Sequence, residues 1–142
     1  MGLIDRLCRK APLPTDRSSF HGLRYIDLEV CDLIRRNGLA LDQPVHSLFY
    51  FNFPSETGTG EVATSLGARG FTTTVRAPWA DGEVRIDTWT VIAESRTHAL
   101  IPDFLRETVD TCEALAAHYG GDFDGWEAGP ADGGLGTPAT EA

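Results

Sequence analysis

The apolar positions change period along the chain, and each change marks an element. From Ser19 to Asn37, Phe20, Leu23, Ile26, Val30 and Leu33 recur at steps of three and four. That spacing predicts a leading helix over residues 19–37 with this stripe turned inward, stopped at Asn37-Gly38. The stretch VHSLFYFNF, Val45 to Phe53, is nearly unbroken in apolar character and bounded by Pro44 and Pro54. It is too short for such a helix and predicts a central strand covered on at least one face. A second helix follows, with Ser55 as its N-cap, Val62, Ala63 and Leu66 facing the sheet, and Gly70 at its end.

Strict alternation then takes over. FTTTVRA predicts a strand from Phe71 to Ala77, with Thr73 and Val75 on the face of Phe71. Asp81-Gly82 is a hairpin signal. VRIDTWTVIAE, Val84 to Glu94, predicts one continuous strand with one strongly buried face. Val84, Ile86, Thr88, Thr90 and Ile92 lie on one side and Arg85, Asp87, Trp89 and Val91 on the other. The third helix is predicted from Pro102 to Tyr119. Pro102 suits the first helical position, and Leu105, Val109, Cys112, Ala116 and Tyr119 form the core stripe. Asp103, Glu107 and Asp110 share an opposite, acidic face. The last element is predicted over Asp122 to Ala128.

After the leading helix the order reads β-α-β-β-α-β. This is an α+β arrangement of the ferredoxin-like split βαβ type, an antiparallel sheet with two helices on one face, preceded by an extra N-terminal helix. The expected organisation is a flexible lead over residues 1–18, a single domain over 19–128 with its core from about residue 44 onward, and a disordered tail over 129–142, rich in Gly, Ala, Pro and Thr.

Charge narrows the function classes. Twelve basic residues stand against 21 acidic ones, a formal net charge of −9. That balance opposes direct binding to nucleic acid phosphates or an anionic membrane and favours basic protein partners. The aromatics of FYFNF would suit base stacking on an open sheet, but they lack the surrounding Arg and Lys that RNA-binding sheets require. Cys8, Cys31 and Cys112 are sparse and odd in number, which points to reduced thiols in a cytoplasmic protein. The start MGLIDRLCRKAPLP has no apolar run long enough for a signal peptide or membrane span; Leu3, Ile4 and Leu7 beside Arg6, Arg9 and Lys10 leave a membrane-surface role for residues 1–14 as an alternative.

The chemistry-bearing candidates resolve into architecture more readily than catalysis. His21, His46, His98 and His118 lack the spacing of a zinc site. GTGEVATSLG, residues 58–67, lacks the Gly-Lys-Ser/Thr ending of a phosphate loop. In GGDFDGWEA, Asp122, Asp124 and Glu127 could hold a metal or act as acid and base, but no second ligand-rich segment accompanies them. The simpler reading is structural: Gly125 permits a bulge, Asp124 bonds the local backbone, and the kink re-aims Trp126, whose indole N–H then needs a buried partner. No catalytic, cofactor or metal residue is assigned. A small enzyme or small-molecule-binding domain using the face near Trp126 and Trp89 stays as the alternative.

LALDQPVHSLFYFNFPSE, then ARGF, then LIPDF and ALAAHYGGDFDGWEA resemble the ribonuclease E inhibitor RraB family (regulator of ribonuclease activity B) over roughly residues 39–128. Asp124, Gly125 and Trp126 carry most of the specificity, helped by Tyr50 to Pro54 and by the preceding helix. The resemblance implies a ferredoxin-like sandwich, no enzymatic activity, and binding to a protein partner, ribonuclease E or another RNA-degradation component, whose activity it modulates. Asp103, Glu107 and Asp110 are the expected protein-binding residues. Familiar members carry acidic extensions, whereas this tail holds only Asp132 and Glu141 and the leading segment is locally basic.

Overall fold

The aromatic run forms the middle of the molecule. In the computed structural model, which describes residues 17–133, Pro44–Phe53 is strand β1, flanked by β5 (Trp89–Ala99) and β6 (Asp122–Pro130), with β2 (Thr72–Arg76) outside β5. The order β2-β5-β1-β6 is antiparallel at every junction. Among the described residues three helices, α1 (Tyr25–Arg36), α2 (Thr59–Ala68) and α3 (Pro102–His118), share one core with a single sheet face. The fold is therefore α+β.

Alternation along β1 sets the two faces. Phe49, Phe51 and Phe53 are fully buried on the helix side and meet Val91 and Ala93 of β5 and Phe123 and Trp126 of β6. Val62 and Leu66 of α2 and Leu105, Val109, Cys112 and Ala116 of α3 close over them. The predicted stripe of the third helix is the one observed, with Tyr119 partly buried against the core. Cys112 is packed in the core, and burial pushes its thiol well above its ordinary pKa. Tyr50 is the aromatic of β1 that falls on the opposite face, so FYFNF is a core run, not a stacking platform.

Three predicted elements are corrected. The leading helix starts at Tyr25, not Ser19, because His21 and Gly22 both take left-handed backbone angles and residues 18–23 close a tight loop, Ser18 N–H donating to the Leu23 carbonyl at 2.8 Å. Its inward stripe is also rotated. Of the predicted stripe, Leu23 is buried and Val30 packs against the core, but Phe20 and Leu33 are exposed, and Asp27, Cys31 and Ile34 are buried instead. The second helix starts at Thr59. Ser55 Oγ accepts the Thr57 N–H in a preceding turn and is not the helix cap. The predicted strand over Val84–Glu94 breaks at residues 87–88. Val84–Ile86 is β4, paired with β3 (Trp79–Asp81) in a separate two-stranded hairpin around Gly82, whereas Trp89–Ala99 joins the main sheet. Val91 and Ala93 form the buried face of β5, with Trp89 partly buried beside them.

Strand β6 runs two residues past its predicted end, to Pro130, and the turn after it is fastened to the sheet. Arg96 donates to the carbonyls of Ala131 and Gly133, at 2.8 and 3.0 Å. The body of the predicted lead, residues 1–16, with the candidate membrane segment and Cys8, and residues 134–142 of the predicted tail lie outside the described residues.

Candidate functional site

Gly125 organises the DGW tripeptide. Tyr50 pairs with Gly125 and Phe51 with Phe123, so Asp124 is the extra residue of a bulge. Gly125 has φ 115°, a conformation that L side chains rarely adopt, and an added Cβ would meet no atom within 4 Å. The requirement is one of backbone conformation, not space. Gly125→Ala is accordingly expected to cost about 1–2 kcal/mol, against less than about 0.5 kcal/mol for the bulged, part-exposed Asp124→Ala. Urea titrations of the two variants check this; equal midpoints would remove the bulge argument.

The bulge delivers Trp126 into the core, where it is 8 % exposed and stacks on Phe49 at 6.1 Å between ring centroids. Its indole N–H donates to Asp27 Oδ1 of α1 at 2.9 Å. Asp27 is 1 % exposed and accepts two further bonds, from Nε and Nη2 of Arg24, both at 2.7 Å. Arg24 lies over the Phe123 ring at 5.4 Å and donates again to Glu113 of α3 at 2.8 Å. Burial works against the Arg24 charge. The bonds to Asp27 and the nearby charges of Asp27 and Glu113 outweigh that cost and raise its pKa above the ordinary arginine value. Arg17 extends the chain of charges, donating to Asp110 and Glu113 at 2.8 and 3.0 Å.

Helix α1 with its N-cap Arg24, helix α3 and strand β6 are thus tied together through Asp27, Glu113 and the Trp126 indole. The indole was expected to find a partner; which partner was missed, as were Arg24 and Glu113. The available signal is Asp27 itself, a carboxylate interrupting the four- and three-residue steps Leu23, Cys31, Ile34.

The predicted acidic residues occupy the outer side of α3. Asp103 and Glu107 are exposed; Asp103 Oδ1 lies 3.1 Å from His21 Nδ1, and Glu107 lies 3.8 Å from Arg106. Asp110 is more engaged, bound by Arg17 and 3.6 Å from Arg106. The structure brings these carboxylates onto one helix face, apart from the DGW bulge. Of the carboxylates around that bulge, Glu127 accepts the Tyr50 hydroxyl. Among the described residues no three His, Cys, Asp or Glu side chains come together as a metal site, and no helix is long and apolar enough to cross a membrane. His98 sits between Phe71 and Phe104; burial first, then Arg69, lowers its pKa. The hollows at Leu41–Leu100, Leu39–Ala128 and Gly60–Tyr119 are lined by neither Trp126 nor Trp89.

The sequence pattern of the RraB family, described as regulator of ribonuclease activity B, matches residues 26–128. The chain belongs to the RraB family. The match opens within α1, just before Asp27, and closes at Ala128, just after Trp126, so this family segment contains both ends of the buried indole–carboxylate bond. No curated protein matches the chain.

Proposed function

We propose that this RraB-family chain is a non-catalytic, cytoplasmic regulator that binds a protein partner, ribonuclease E or another RNA-degradation component, and modulates its activity. The family match over residues 26–128 is the observation that carries the reading. The state of Trp126 supports it: the indole is committed to Phe49 and Asp27 and does not line an open cleft beside the carboxylates. We read the antiparallel order β2-β5-β1-β6 as a ferredoxin-like sandwich with α1 added at its N-terminal side.

The contact surface in this reading is the outer face of α3, centred on Asp103 and Glu107, with Asp110 at its edge. A net charge of −9 and exposed carboxylates suit an Arg-rich segment, whose capture is weakened by salt. The test is a pull-down from the native cell with mass spectrometry, followed by Asp103→Lys/Glu107→Lys in the captured pair. At least a tenfold loss of affinity, with a melting temperature close to wild type, is expected. Partners that resist high salt and ignore the reversal would overturn the contact surface. Loss of all ribonuclease-linked partners from the wild-type pull-down would overturn the regulatory reading.

A further inference from the structure

The two edges of the sheet are protected very differently. Strand β6 carries a bulge at Asp124, the carboxylates Asp122, Asp124 and Glu127, and Pro130, with the end of α1 close by. Each of these features discourages strand addition. Strand β2 carries none. Thr72, Thr73, Thr74, Val75 and Arg76 are mostly exposed and, among the described residues, pair only with β5; they include no proline, carboxylate or bulge. Later in the chain the β3–β4 hairpin pairs, among the described residues, only with itself and leaves Trp79, Val84 and Ile86 exposed.

We propose that the β2 edge pairs with the β2 edge of a second copy of this chain, antiparallel and centred on Thr74, joining two four-stranded sheets into one of eight. The sequence of the edge is self-complementary in that register. Thr74 faces Thr74 of the second copy, Thr73 faces Val75, and Thr72 faces Arg76, so β-branched residues meet and no like charges stand opposite each other. Centring the pair on Arg76 would set two guanidinium groups together. Charge supports the same occupant. From Val62 to Ala80 the chain has Arg69 and Arg76 and no acid, in a molecule of net charge −9. This is a stretch where two such molecules can approach without opposing carboxylates. A five-residue pairing falls short of the roughly 800 Å2 per partner of a stable interface. The exposed hairpin of each copy, carried past the start of the other's β2, adds apolar contact. The result is a weak dimer, with dissociation on the order of tens of micromolar.

Sedimentation velocity across a concentration series tests this, because net repulsion between two acidic molecules makes the dimer strengthen with salt. That is the opposite of the behaviour expected at the acidic face of α3, so the two readings fail separately. Thr74→Lys sets two ammonium groups against each other and is expected to raise the dissociation constant at least tenfold. Thr74 is exposed, so the fold and partner capture should persist. In a Cys8→Ser background, Thr74→Cys is expected to cross-link to itself under mild oxidation, since directly opposed positions have Cβ atoms about 5 Å apart; Arg76→Cys is not. A monomer at every concentration and salt, a dimer that weakens with salt, or a dimer indifferent to Thr74→Lys would each overturn the proposal.

Discussion

Asp27→Ala is expected to lower stability by about 3–5 kcal/mol, the scale for removing one partner of a buried charge pair. The substitution deletes a small side chain from a helix, and alanine is the better helix former, so local propensity predicts a gain. The loss comes from what Asp27 leaves behind. Arg24, largely withdrawn from water, retains only Glu113, and the Trp126 N–H is buried without an acceptor. Trp126→Phe removes the donor and keeps an aromatic ring, though a smaller one, and should cost at least about 1.5–3 kcal/mol, as for a hydrogen bond to a charged group. The double variant should cost less than the sum by about 1 kcal/mol, the coupling of groups in one network. Urea unfolding with an unchanged slope checks all three. An Asp27→Ala variant as stable as wild type would show that α1 is held by its apolar residues alone.

Gly58→Ala is expected to cost about 2–4 kcal/mol, from overpacking combined with left-handed backbone strain. Gly58 has φ 86°, and an added Cβ would lie 2.5 Å from Cδ1 and 2.7 Å from Cβ of Tyr119. The atoms in the way include the root of that side chain, and Tyr119 sits at the end of α3 against the core. Gly60→Ala, two residues on, is the control of opposite sign. It lies within α2 with nothing inside 4 Å of the added methyl, so it should stabilise by about 0.5–1 kcal/mol. Thermal unfolding of the pair separates close packing from a general intolerance of alanine in this turn.

Legibility followed how local each signal is. Helix α3 was legible to the residue at its start because Pro102 and the stripe Leu105, Val109, Cys112, Ala116 reinforce each other within one element. Strand β1 was legible because an aromatic run between two prolines has few other uses. Helix α1 was read with the wrong start and face. Two stripes share Leu23, one running on through Val30 to Leu33 and one through Cys31 to Ile34; both have helical spacing, and the second contains an acid. Burial of that acid is compensated by Arg24 beside it and by Trp126 from the far end of the domain. In the same way, the alternation in Val84–Glu94 is genuine on both sides of residues 87–88, but pairing partners divide it between a hairpin and the main sheet.

The α+β class, the central aromatic strand, the long third helix, the acidic character and the glycine-dependent kink before the final tryptophan are written into short stretches of the chain, because each rests on periodicity, turn chemistry or composition within a short span. Long-range packing sets which face of α1 turns inward, where the indole finds its acceptor and which strands lie at the sheet edges among the described residues. Asp27 and Trp126 are 99 residues apart. A hydrogen bond between them depends on where the chain brings them in space, and the spacing of residues along one element cannot encode that.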